Sequence, residues 1–116
     1  MIDLRAAVPI DYAPLVESVR KTGNLVCVSD AVARGSVMQT VAADLTQLCF
    51  DDLEAPPVIV GSRNWITPAA ELEPIFFPQA SWLLDAIHEH VRPLAGYQPV
   101  TSPTKGELIR RARLGI

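Results

Sequence analysis

Asn24-Leu25-Val26-Cys27-Val28-Ser29 is a short apolar run rich in β-branched residues, with no polar face between its two ends. A strand apolar on both sides must be covered on both sides, as strands of parallel sheets are. A second such run, Val58-Ile59-Val60, follows Pro56-Pro57. Between the two, Ser36-Val37-Met38-Gln39 fits the capping-box pattern, with Ser36 as cap and Gln39 reaching back. Val37, Met38, Val41, Leu45 and Leu48 then recur at helical spacing. Strand, helix, strand in this order predicts a parallel pair with a right-handed crossover.

The flanks extend the alternation. Ile2 to Arg5 alternates and reads as a strand. Asp11 is a good helix cap, Pro14 is tolerated in a first turn, and Leu15, Val16 and Val19 share a face. Gly23 after Lys21-Thr22 is placed as a C-cap glycine, so the spacing predicts a helix over 11–22. Asp30 to Gly35 reads as a connection. Gly61 to Pro68 reads as a loop carrying Arg63, Asn64 and Trp65, and Pro74 and Pro78 impose an irregular path after it. Ser81 is placed to cap a helix in which Leu83, Leu84, Ile87 and Val91 share a face, closed by Pro93 and Gly96. Tyr97 to Pro103 reads as a linker and Lys105 to Leu114 as a basic final helix. The fold class is therefore α/β with a small, mainly parallel sheet of three strands, in a domain over 1–95 followed by a linker and tail over 96–116. A sheet this small, opening on its first residues, leaves a strand edge exposed.

Composition narrows the function. Ten Lys and Arg against 13 Asp and Glu give a net charge of −3. Nucleic acid is disfavoured as the main partner, because phosphate binding rests on clustered cations. Arg110, Arg111 and Arg113 near the C-terminus are the one basic cluster. Pro74 to Leu84, the longest strongly apolar uncharged run, is eleven residues and is interrupted by Pro78, where a bilayer needs about twenty. Met-Ile-Asp-Leu-Arg lacks the basic start and long apolar stretch of a secretory signal, so the expected location is cytoplasmic. Cys27 and Cys49 read as small buried hydrophobes in a reducing compartment.

No catalytic centre is legible. His88 and His90, two apart on a helix, point to different faces and cannot grip one metal as an i, i+4 pair does. They read as solvated helix residues. Ser29-Asp30 has no Gly-x-Ser-x-Gly elbow around it and reads as a polar turn. Gly35-Ser36 at a helix start could offer free N–H groups to an anion, against the simpler reading of a plain cap. Asp51, Asp52 and Glu54 form a short acidic patch, which by itself reads as a solvated loop. Among Trp65, Phe76, Phe77 and Trp82, Trp65 in its loop is the candidate for a partner contact, and Phe76 and Phe77 suit a core at least as well.

Five stretches, in order, carry a family likeness: Ile2-Asp3-Leu4-Arg5 with Val8-Pro9-Ile10-Asp11; Glu17 to Gly23 followed by Leu25-Val26-Cys27-Val28; Leu53-Glu54-Ala55-Pro56; Ile66-Thr67-Pro68 with Leu72-Glu73; and Phe77-Pro78. Together they resemble the C-terminal, transketolase-C-terminal-like domain of the beta subunit in the decarboxylating component of 2-oxo acid dehydrogenase complexes. The likeness runs from Ile2 to about Val91. It implies a three-layer α/β/α fold from which the first strand and helix are missing. Ser29-Asp30 departs from the family's usual His-Glu after the central strand, and the tail from Gly96 runs past the usual end of the domain.

The resemblance implies an assembly and docking role in an enzyme that decarboxylates a 2-oxo acid and passes the acyl group to lipoamide. The parent enzyme uses thiamine diphosphate and magnesium, held by a Gly-Asp-Gly stretch this chain lacks. The implication is that this chain binds no cofactor directly, carries no catalytic or metal-binding residue and is inactive alone. The implied partners are a second beta subunit, the alpha subunit, and the subunit-binding domain of the acyltransferase component. Glu54 matches the family's acid before Ala-Pro, where that basic subunit-binding domain docks. Glu54, Asp52 and Trp65 are thus the candidate partner-binding residues, with no nucleic acid or membrane partner and an oligomeric assembly. The alternative is a free-standing small α/β module that binds a protein or an anion at Gly35-Ser36. The equivalent domain of a transketolase or a related synthase fits the Leu53 to Pro56 stretch and the proline loop less well.

Overall fold

The computed structural model describes residues 1–100. Its elements are α1 (Ala13–Thr22), β1 (Val26–Val32), α2 (Val37–Leu48), β2 (Val58–Ser62), α3 (Glu73–Phe76) and α4 (Ala80–His90), with single 3₁₀ turns at Phe50–Asp52 and Ala70–Leu72. The expected helix over 105–114 lies outside the described residues.

β1 and β2 pair in parallel, with Val26 opposite Val58, Cys27 opposite Ile59 and Val28 opposite Val60. α2 joins them, as the alternation predicts. Period-two geometry sends Cys27 and Ile59 to one face of the sheet and Val60 and Ser62 to the other. On the first face Leu15 of α1, Cys27, and Val41, Ala42 and Leu45 of α2 form the core, with Leu25, Met38, Ile59, Leu4 and Ile10 packed around it. On the second face α4 packs on β2 and Phe76 is buried. The result is helix, sheet, helix: the three-layer α/β arrangement. The second layer covers β2 and not β1. Val60 is buried while Val28, its partner across the pair, stays 47% exposed.

Among the described residues the sheet has two strands, not the three expected. Ile2 to Arg5 does not form a strand. Asp3 accepts the Arg5 backbone N–H at 3.2 Å and pairs with the Arg5 guanidinium at 3.0 Å, and Arg5 adopts φ 57°. A short acidic side chain that binds its own backbone two residues on curls the chain locally, and alternation alone does not overcome that. Met1 to Leu4 instead line a cavity of about 370 Å³ beside β1, together with Leu15, Ser18, Val19, Asn24 to Val28, Met38, Val41 and Leu45.

β1 also runs further than its apolar run. It extends through Asp30 to Val32, residues that read as a connection, by means of a bulge. Ser29, Asp30 and Ala31 stand opposite Gly61 alone, because pairing resumes only at Val32 with Ser62. The Ser62 hydroxyl donates to the Asp30 carbonyl, and the Ala33 N–H donates to the Ser62 carbonyl at 3.2 Å. Ser62 is buried because it satisfies the bulge.

The caps differ in detail from the pattern. α1 ends on Gly23 at φ 69°, as expected for a left-handed stop. Asp11 lies ahead of the helix and accepts the Ala13 N–H at 3.1 Å. Ser36 caps α2 by position without a side-chain bond, and Gln39 reaches one residue further back, accepting the Gly35 N–H at 2.7 Å. α4 starts after Gln79, so Ser81 lies inside its first turn. No helix among the described residues is long and apolar enough to cross a membrane.

Candidate partner-binding surface

The acidic patch sits at the end of the sheet where both strands begin. Leu48 ends α2, the 3₁₀ turn Phe50–Asp52 redirects the chain, and Glu54 then crosses the end of α1. The Glu54 N–H donates to the Gly23 carbonyl at 2.7 Å. The Glu54 side-chain stem lies over Gly23, so close that a methyl group there would meet its Cγ at 2.6 Å. Asp52 is reached by Arg20 from the last turn of α1, Nε to Oδ2 at 3.3 Å. Both groups of that ion pair are substantially exposed, so it contributes about 0–1 kcal/mol. The patch is therefore mixed: Arg20 and Lys21 stand in the last turn of α1, at the negative end of its dipole, with Asp52 paired to Arg20 and Glu54 lying over Gly23.

Trp65 lies at the other end of β2. Five residues of strand separate the two ends, a span of roughly 17 Å at about 3.3 Å per residue. The structure brings Asp52 and Glu54 together at the last turn of α1 and leaves Trp65 in a separate region. There Trp65 is 49% exposed and Ile66 94%, with Leu72 and Ile75 exposed on the 3₁₀ turn and α3 that follow. Phe76 is buried and meets Phe77 edge to face at 4.9 Å between ring centres. Trp82 is half-buried, with the Arg63 guanidinium 3.9 Å above its ring centre.

Three features escaped the sequence reading. One is that Arg63–Trp82 stack. Another is Tyr12, whose hydroxyl donates to Asp44 on α2 across 32 residues. The third is Asp85, only 6% exposed, which accepts the Tyr97 hydroxyl at 2.7 Å and the Val100 N–H at 3.0 Å on the same oxygen. Tyr97 to Val100 are thereby tied to α4, although they read as linker. His88 is half-buried and accepts the Leu94 N–H on Nδ1 at 2.9 Å, so it is not the solvated residue expected. His90 is exposed beside Glu89 at 3.7 Å. None of these pairs has a fixed spacing, and an Asp at a helical i position is ordinarily a surface residue.

Both tyrosines donate to carboxylates, and this sets a measurable titration. Hydrogen bonding to Asp85, burial and its negative charge push the Tyr97 hydroxyl from an ordinary 10 up to about 12. The bond to Asp44 raises Tyr12 as well. A folded-state value above the unfolded one gives stability that is present below pH 10 and is lost as pH rises toward about 12. Phenolate absorbance of the folded chain is expected to rise only above the ordinary tyrosine range for both residues. Asp85→Asn is expected to bring the Tyr97 step down and leave the Tyr12 step in place. Burial likewise raises the Cys27 thiol, so it is protonated at neutral pH. Among the described residues no group of three or more His, Cys, Asp or Glu is arranged to hold a metal ion.

Residues 1–83 match the family model described as transketolase, C-terminal domain. The chain belongs to that family. The domain is 40% identical over 87 residues to the pyruvate dehydrogenase E1 component subunit beta of Leifsonia xyli, which covers 75% of this chain and 26% of the relative. It is 36% identical over 88 residues to the protein of that name from Rhizobium meliloti, covering 75% of this chain and 19% of the relative. Its Staphylococcus epidermidis namesake is 36% identical over 85 residues, covering 73% and 26%. The chain spans about a quarter, or less, of the length of these relatives. The likeness to the C-terminal domain of an E1 beta subunit, read first from five short stretches, thus holds across most of the chain.

Proposed function

We propose that the domain serves assembly and docking in a 2-oxo acid dehydrogenase, the pyruvate enzyme being the class named by its relatives. In this reading the charged end receives the basic subunit-binding domain of the acyltransferase component, and the aromatic loop meets another subunit, beta or alpha. The observation that carries it is the separation of two partner-type surfaces on one small domain. Asp52 and Glu54 lie at the end of α1, and Trp65 and Ile66 stand exposed past the far end of β2, with Leu72 and Ile75 exposed on the elements that follow. Contiguous exposed apolar groups mark interaction sites, and aromatics are enriched at interface centres.

Decarboxylation of the 2-oxo acid and acyl transfer to lipoamide belong, in this proposal, to parts of the enzyme outside the chain. The residues present do not fit thiamine diphosphate and its magnesium. The cavity beside β1 is walled by Leu15, Val19, Cys27, Val41 and Leu45, with Asp3, Ser18 and Asn24 as its polar members. A diphosphate needs an anion-binding turn and the cation an oxygen-rich shell.

Calorimetric titration of the chain with an acyltransferase subunit-binding domain tests the docking half. Rim charges act through steering and screening, so binding is expected to weaken with added salt. Asp52→Lys with Glu54→Lys is expected to weaken it by about tenfold or more, the scale of a like-charge juxtaposition. Affinity insensitive to both salt and charge reversal would refute this half. Trp65→Ala, followed by light scattering, tests the aromatic half, with reduced association as the expected result.

A further inference from the structure

We propose that residues Leu94 to Val100 form a strap clipped to α4 through His88 and Asp85, which acid releases while the rest of the domain stays folded. The strap lies beyond residue 83, where the family match ends.

The geometry is specific. Asp85 and His88 are three residues apart and so share one face of α4. α4 stops at Val91, and Pro93 cannot continue a helix. The chain reverses in a turn closed by the Tyr97 N–H on the Leu94 carbonyl at 3.2 Å. Gly96 sits inside that turn at φ 71°, a conformation a side chain resists. The reversal lays Leu94 over His88 and Tyr97 over Asp85. Three hydrogen bonds then close it: Leu94 N–H to His88 Nδ1 at 2.9 Å, Tyr97 hydroxyl to Asp85 at 2.7 Å, and Val100 N–H to the same Asp85 oxygen at 3.0 Å. The His88 and Tyr97 rings lie 5.5 Å apart, tilted at 50°.

Every one of these bonds ends on a titratable acceptor or starts from a titratable donor. The Nδ1 lone pair that accepts the Leu94 N–H is also a site of imidazole protonation. Once it holds a proton, two N–H groups face each other and the bond is lost. Around the pair stand Glu89 and His90 on α4, Arg92 at its end, Tyr97 on the strap, and Arg63 over Trp82 one turn before Asp85. Asp85 is buried and so depends on the strap for two of its partners. Tyr97, pushed up to about 12, stays a donor throughout the acid and neutral range. The core of Leu15, Val41, Ala42 and Leu45 is built on the other face of the sheet and holds none of these groups. Release moves the attachment point of everything after Val100 from the α4 face to the end of the helix. That chain carries Lys105, Arg110, Arg111 and Arg113.

Amide hydrogen exchange by NMR on the ¹⁵N-labelled 116-residue chain tests this, after correction for the intrinsic pH dependence of exchange. Between about pH 7.5 and 5, where an imidazole takes up its proton, Leu94 and Val100 are expected to lose protection by about tenfold. Val41 and Leu45 amides are expected to hold. The His88 ring-nitrogen shifts, recorded on the same sample, are expected to share the midpoint of the Leu94 loss. In His88→Asn the carboxamide oxygen replaces Nδ1 as acceptor, and Leu94 protection is expected to be flat with pH. Five results overturn the proposal: constant Leu94 protection in the unaltered chain, Val100 protection that persists where Leu94 has lost its own, loss of the Val41 and Leu45 amides at the same pH, separate midpoints for ring and amide, or undiminished acid sensitivity in His88→Asn.

Discussion

Leu45→Ala is expected to lower the unfolding free energy by about 2–5 kcal/mol, the range for deleting a buried leucine. Leu45 is fully buried and is the largest such side chain of the domain. It joins α2 to α1 and to Cys27 of β1 in one cluster. Removing it opens a void where three elements meet, beside a cavity that Leu45 already helps to line. A domain of this size is held by about 5–15 kcal/mol in total, so the loss is a large share. Urea denaturation followed by tryptophan fluorescence measures it. A midpoint unchanged within error would mean that the α1–α2–β1 cluster does not hold the fold.

Gly61→Val is the second large effect, and its origin is the opposite one. A Cβ at Gly61 would lie 2.7 Å from the Ala31 carbonyl oxygen, 2.8 Å from the Ala33 nitrogen and 2.9 Å from the Ala33 Cα. All three are backbone atoms of β1 and of the residue that follows it, and cannot rotate aside. The bulge at Ser29 to Ala31 presses the β1 chain onto β2 at this residue, and only a hydrogen fits between them. Overpacking of this kind typically costs about 1–3 kcal/mol, and a β-branched side chain against two strands belongs at the upper end. Thermal unfolding of the variant is expected to shift down by roughly 10–20 °C, from about 4–8 °C per kcal/mol for a domain of this size. Gly61→Ala is expected to fall between it and the parent. An unshifted Gly61→Val would show that the two strands are not in close contact there.

The sequence was informative wherever a physical signal repeats along the chain. α2 was legible because Val41 and Leu45 recur at helical spacing and both are buried. The central strands were legible because an uninterrupted apolar run has few alternatives, and Gly23 because a C-cap has a distinctive chemistry. The first strand was misread, since Asp3 and Arg5 satisfy each other locally and no spacing announces that. The end of β1 was misread for a related reason. Ser29-Asp30-Ala31 lacks strand character, and what keeps it on the sheet is a hydroxyl 32 residues away on Ser62. Of the candidate site, Asp52 and Glu54 proved neighbours because they are close in sequence. Arg20 beside them, Asp85 under Tyr97 and Arg63 over Trp82 are products of the fold, invisible until helices and strands are placed.

The opposed positions of Glu54 and Trp65, one before β2 and one after it, bear on the order of events. Two macromolecules approaching from the two directions do not compete for the same groups. If both surfaces serve as proposed, neither partner needs the groups the other uses. In such an arrangement the short buried strand would act as a spacer between two neighbours, and its length is fixed by the core, because one residue more or fewer would turn the side chains after it to the opposite faces of the sheet.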